Sequence, residues 1–175
     1  MKDQVVIREA KVEDAPRTRE LLLALLKSYP EAYLPTWEEE KKRGLEDEVT
    51  KLGELNQRPT SCLFVAETAG KLVGMVICHG HEKERIRHQA TVERFGVLPE
   101  YCGRGIGTLL TEHLLNWVKD ETEILRLDLW VILSNPRIIP FYEKFGFKKE
   151  ARLKKTCQVG SQFYDSVIMT KWFER

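Results

Sequence analysis

A chain of 175 residues fits one folded domain, expected to span residues 1–175, and is long enough to bury a sizeable core. Hydrophobic residues at 42% and charged residues at 31% exclude a disordered or membrane-embedded chain, and a net charge of +1 argues against a dedicated nucleic-acid binder. No apolar run approaches the roughly 18 residues of a membrane span, and Met1 to Arg8 lacks the apolar core of a secretory signal, so the expected location is the cytoplasm, with no membrane partner.

The first strand is expected at Val5 to Ile7, where β-branched residues follow one another. A helix then opens at Val12 to Ala15, with Asp14 placed to cap it and Pro16 in its first turn. Leu21, Leu22, Leu25 and Leu26 give it an apolar stripe at helical spacing, and Tyr29-Pro30 ends it. Thr36 and Glu39 form a capping-box pattern, which predicts one second helix over Trp37 to Leu55 despite Gly44 and Gly53. Cys62 to Glu67 and Leu72 to Cys78 read as a hairpin about Ala69-Gly70-Lys71. A third run, Gln89 to Val97, stops at Pro99. Gly105 to Val118 is helical, Leu125 to Leu133 is a strongly apolar strand, and Pro136 to Phe145 is a short helix ended by Gly146. Pro140 inside it should remove a hydrogen bond and bend it. Phe147 to Leu153 and Phe163 to Lys171 close the chain as strands. This order predicts an α/β fold with one mixed sheet flanked by helices on both faces.

The four cysteines, Cys62, Cys78, Cys102 and Cys157, form no CxxC pair and are expected as free thiols. His79, His81 and His88 lack helical i, i+4 ligand spacing, so no metal is expected. The acidic stretch Glu38 to Glu54 and the basic stretch Lys148 to Lys155 read first as solvated faces.

Chemistry concentrates in Glu93 to Leu110. A strand ends at Val97, a short turn follows, and Gly103-Arg104-Gly105-Ile106-Gly107 leads into a helix. Such a turn aims unpaired backbone N–H groups and the positive end of the helix dipole at one point, which suits a large anion such as a pyrophosphate. Thr108 adds a hydroxyl. The Gly-Lys-Ser/Thr ending of a phosphate-binding P-loop is absent, and the motif does not sit in a first strand–helix unit as a dinucleotide fingerprint should.

Val97-Leu98-Pro99-Glu100-Tyr101 followed by Gly103-Arg104-Gly105-Ile106-Gly107 resembles the coenzyme A motif of the GNAT N-acetyltransferase superfamily. Asn135, then Phe141-Tyr142-Glu143-Lys144 and Gly146-Phe147, resembles the family's later motif, and the order of elements agrees. The resemblance implies a GNAT-like mixed sheet and transfer of an acetyl group from acetyl-CoA to a primary amine of a small molecule or protein, in a ternary complex. Amides of Gly103, Arg104, Gly105, Ile106, Gly107 and Thr108 would hold the pyrophosphate. The main chain of Phe95 and Val97 would pair with the pantetheine arm, Asn135 would touch that arm, and the Val97 N–H would face the developing oxyanion. Tyr142 would protonate the leaving thiolate. Cys102 departs from the pattern, standing where the family usually carries Arg or Gln, with Arg104 as a substitute charge. Glu93 lies four residues before Val97, on the same face by strand alternation, and is a candidate base for the amine proton. Glu38, Glu39 and Glu40 fall where relatives build the acceptor site. The alternative from another class is a non-catalytic acyl-CoA-binding module, and a homodimer is an allowed state.

Overall fold

In the computed structural model, which describes residues 4–174, seven strands form one sheet in the order β1-β2-β3-β4-β5-β7-β6. The strands are β1 (Val6–Glu9), β2 (Cys62–Thr68), β3 (Lys71–Gly80), β4 (Gln89–Val97), β5 (Arg126–Ile132), β6 (Lys148–Val159) and β7 (Gln162–Trp172). The helices are α1 (Ala15–Ser28), α2 (Trp37–Lys42), α3 (Leu45–Gln57), α4 (Ile106–Glu121) and α5 (Ile138–Glu143). All neighbours are antiparallel except β4 and β5. No helix among the described residues is long and apolar enough to cross a membrane.

Strand alternation builds two cores. On β2, Leu63 and Val65 face α1 and α3, where Leu21, Leu22, Leu25, Leu26, Leu52 and Leu55 are buried. Cys62, Phe64 and Ala66 face the opposite way, toward Ile106, Leu110, Leu114 and Val118 of α4. The leucine stripe of α1 is therefore core packing.

Four expectations are revised. The expected helix Trp37 to Leu55 is two, because the chain turns extended at Arg43 and Gly44 and restarts at Leu45. Thr36 and Glu39 do form the capping box of α2, while the Gly44 N–H donates to Asp47 at 3.2 Å at the start of α3. Asp14 caps no turn of α1; its carboxylate accepts from the Lys11 N–H at 3.0 Å and binds Arg8. Pro140 is the third residue of α5, so its missing N–H falls in the first turn, where no partner exists anyway. Strands β6 and β7 run to a tight connection at Gly160-Ser161, well past the expected end at Leu153. All four cysteines are free, with Cys62 and Cys78 directly opposed across β2 and β3 and both buried.

Asp14 and Glu67 receive Arg8 and Arg17 in a four-residue network that ties β1 and β2 to the start of α1. The Arg8 hydrogen bonds lower Asp14 from 3.8 to about 2, against a smaller opposing effect of burial. A depressed carboxylate stabilises the fold fully above its unfolded value and loses that contribution as pH falls through its folded value. Unfolding free energy should therefore drop between about pH 4 and about 2. Asp14→Asn should flatten that part of the profile in urea denaturation, at a cost of about 1–2 kcal/mol at neutral pH.

Candidate active site

The parallel pairing of β4 and β5 spans only Gln89↔Arg126 through Val92↔Leu129. Beyond it, Glu93 to Val97 and Trp130 to Ile132 have no partner in each other, and the two strands part. A cleft of about 580 Å³ occupies this gap. Glu93, Phe95, Asn135 and Tyr142 line it together, with Tyr33, Glu40, Arg43, Lys51 and Arg94 from the α1–α3 side.

The cause of the parting lies in β4. Gly96 opposes Met75 and Glu93 opposes Ile77, so Arg94 and Phe95 both stand against Val76. This is a β-bulge, and Arg94 takes φ +50° to make it. The extra residue inverts the alternation. Glu93 and Arg94 both reach α3, the first 3.8 Å from Lys51 and the second 2.8 Å from Glu48. Phe95 turns to the other face, against the rings of Phe141 and Tyr142, each 5.7 Å away. Val97 packs on that same face, so the expectation that Glu93 and Val97 share a face does not hold.

Beyond the bulge, the Leu98 N–H donates to the Val73 carbonyl of β3 at 2.9 Å. By alternation, the polar backbone groups of Val97 and Phe95 turn toward the gap. Their carbonyls accept from Tyr29 and Tyr33: Tyr33 Oη to Phe95 O is 2.9 Å and Tyr29 Oη to Val97 O is 3.2 Å. Both tyrosines come from the chain that follows α1. Nothing local in the sequence shows that these hydroxyls reach a strand more than sixty residues away. Tyr33 lies so close to Gly96 that a Cβ there would strike its hydroxyl and crowd Leu25.

Tyr142 is buried among Phe95, Phe141 and Phe147, and burial pushes its hydroxyl far above the ordinary phenol value. It therefore stays protonated at any physiological pH. Lys51 is lowered, first by burial and then by the Arg94 charge. Asn135 Oδ1 accepts from the Arg137 N–H at 3.0 Å, fixing the turn into α5.

At the far end of β4, residues Cys102 to Thr108 lie outside the cleft lining and form the turn into α4. Gly103 and Gly105 adopt φ +76° and +81°, the left-handed region where a Cβ is strained, and the space beside both is open. Gly105 is the residue before a helix of 16 residues, whose first-turn N–H groups have no intrahelical acceptor. Cys102 is exposed, its sulfur 3.4 Å from Tyr29 Oη and near the Val97 and Leu98 carbonyls. Arg104 is turned away, donating to the Glu100 carbonyl at 2.9 Å and lying over the Tyr101 ring. Of the acidic stretch, Glu40 alone lines the cleft, paired with Arg43 at 3.2 Å. Glu39 is held in its capping box.

The splayed strands, the glycine turn and the order of elements define a class, and comparison with known proteins bears on the same residues. The model of the acetyltransferase (GNAT) family matches residues 22–147, and the chain belongs to that family. An uncharacterized N-acetyltransferase of Methanocaldococcus jannaschii is 33% identical over 102 residues, covering 57% of this chain and 45% of the relative, so the chain spans less than half of that protein's length. The crystal structure of an acetyltransferase of the GNAT family from Streptococcus pneumoniae superposes with a TM-score of 0.88 at 22% identity, covering 98% of this chain and 100% of the other. The structure of an acetyltransferase from Salmonella typhimurium with its cofactor acetyl-CoA superposes with a TM-score of 0.84 at 14% identity, covering 98% and 95% of the two chains.

The contact between Tyr33 and Gly96 is directly testable. Gly96→Ala should drive Tyr33 from the Phe95 carbonyl and lower stability by about 1–3 kcal/mol, the usual cost of overpacking. Chemical denaturation measures this; unchanged stability would show that the loop after α1 yields freely.

Proposed function

We propose that this chain is an N-acetyltransferase that carries the acetyl group of acetyl-CoA to a primary amine of a small molecule or peptide, within one catalytic domain. The observation that carries the reading is the gap between β4 and β5, toward which the backbone polar groups of Phe95 and Val97 turn by alternation, beside a cleft lined by Phe95, Tyr142 and Glu93. The shared fold of the Salmonella protein, whose structure contains acetyl-CoA, supports the choice of donor.

The residues suit coenzyme A. The left-handed glycines at 103 and 105 leave open space beside the backbone, and the start of α4 offers unpaired N–H groups to a diphosphate. The edge of β4 offers strand-like hydrogen bonds to the amides of the pantetheine arm. Asn135 and Ile138 form the wall across from it. Acetyl-CoA supplies the activated acyl group. Arg104 supplies no charge to the diphosphate in its present position, since it is bound back to Glu100 and Tyr101.

Three proton and charge tasks remain for the protein. Glu93, whose side chain is 44% exposed in the cleft, accepts the proton that the ammonium must lose before it can attack. The N–H of Val97 lies on the gap-facing side of β4 and donates to the carbonyl oxygen as charge develops there. Tyr142, kept protonated by burial, donates its proton to the departing thiolate and regains one from the attacking nitrogen, which sheds its second proton as the amide forms. The four free thiols are compatible with a reducing compartment, which supports a cytoplasmic reaction.

A panel of primary amines with acetyl-CoA, followed by release of free thiol, tests the activity. With the best acceptor, Tyr142→Phe should lower kcat by about 10²–10³, the usual worth of a positioned acid, and leave coenzyme A affinity unchanged. Near-wild-type kcat, with chemistry shown to be rate-limiting, would reduce Tyr142 to a core aromatic.

A further inference from the structure

An ion pair joins the bulge in β4 to a helix outside the motif region. Arg94 donates to both oxygens of Glu48 in α3, at 3.1 and 2.8 Å. Both side chains are almost wholly buried, at 12% and 5% exposure. Glu48 also accepts from the Thr18 hydroxyl of α1 at 2.9 Å, so one carboxylate links both helices to the strained residue of the strand. Arg94 adopts φ +50°, a conformation that no β-carbon-bearing residue favours. Next to it, Glu93 meets Lys51, one turn along α3 from Glu48. The two ion pairs have matching geometry: residues 48 and 51 share one face of a helix, and residues 93 and 94 share one face of a strand only because the bulge is present.

We propose that Glu48 and Arg94 are positioning residues, whose pairing holds β4 in its bulged form and so presents Glu93, Phe95 and Val97 to the cleft. This rests on the reading of the cleft as a coenzyme A site. If the bulge relaxed into regular pairing, the alternation would revert and the backbone groups of Phe95 and Val97 would exchange sides. Binding would then have to restore the bulge, and apparent affinity would fall by the fraction of molecules that retain it. The pair lies on the α3 face of the strand, at the rim of the cleft that Arg94 helps to line, and neither side chain needs to touch the acyl group.

Glycine separates this role from general stabilisation, because it adopts positive φ without the ion pair. Two double variants remove the pair equally: Glu48→Gln with Arg94→Ala, and Glu48→Gln with Arg94→Gly. Both should melt below wild type. Titration calorimetry with coenzyme A should find the alanine form weakened about tenfold, the size set by the left-handed strain of a residue bearing a β-carbon. The glycine form should stay within about threefold of wild type. Equal affinity of the two variants, whether both weak or both tight, would overturn the positioning role while leaving the site assignment intact. Failure of wild type itself to bind coenzyme A would overturn the reading of the cleft and this proposal with it.

Discussion

The arrangement depends on one shortage of pairing. β4 and β5 are parallel neighbours for four residue pairs and then separate, which leaves a row of backbone N–H and C=O groups inside the molecule with no strand beside them. Buried backbone groups without partners are costly, so such an edge persists only where something else satisfies it. In this structure Tyr29 and Tyr33 satisfy the carbonyls of Val97 and Phe95, and the cleft leaves the edge accessible to a ligand. The bulge at Arg94-Phe95 decides which groups face which way, so the geometry of the site is set by a backbone event and not by the side chains that line it.

The same strand joins the two cores. Gly96 is pressed by Tyr33 and Leu25 from the α1 side, while Phe95 packs on Phe141 and Tyr142 from the α5 side. Movement of β4 would disturb both layers at once. The rigidity this gives would matter for the proposed chemistry, because Tyr142 and the Val97 N–H belong to different elements and would have to keep their spacing. At the end of β4 the glycine turn and the start of α4 continue the same line, so that a long ligand lying along the strand would reach unpaired helix N–H groups at its far end.

Much of this was legible in the sequence, for identifiable reasons. The order of elements followed from periodicity that local residues set: the leucine stripe of α1, the alternation in β2 and β3, the apolar β5. The glycine turn ahead of α4 was legible because Gly103, Gly105 and Gly107 stand together just before an apolar helical stripe. The features that escaped are those whose cause is distant. The split between α2 and α3 turns on Gly44, which tertiary packing uses as a helix start and the capping pattern at Thr36 overshadowed. The length of β6 was hidden because its residues are mostly exposed and carry no apolar alternation. The bulge was invisible because strand alternation assumes its absence, and the Glu48–Arg94 pair joins residues 46 apart. Arg104, expected to supply charge at the glycine turn, is instead bound to the turn that precedes it.

The central claim is that the open edge of β4 and the start of α4 together seat coenzyme A. Backbone hydrogen exchange, followed by mass spectrometry with and without coenzyme A, reads those amides directly. The account predicts slowed exchange in segments covering residues 95–98 and 103–108, with residues of β6 and β7 unaffected. Protection confined to other segments, with those two unchanged at saturating ligand, would contradict it.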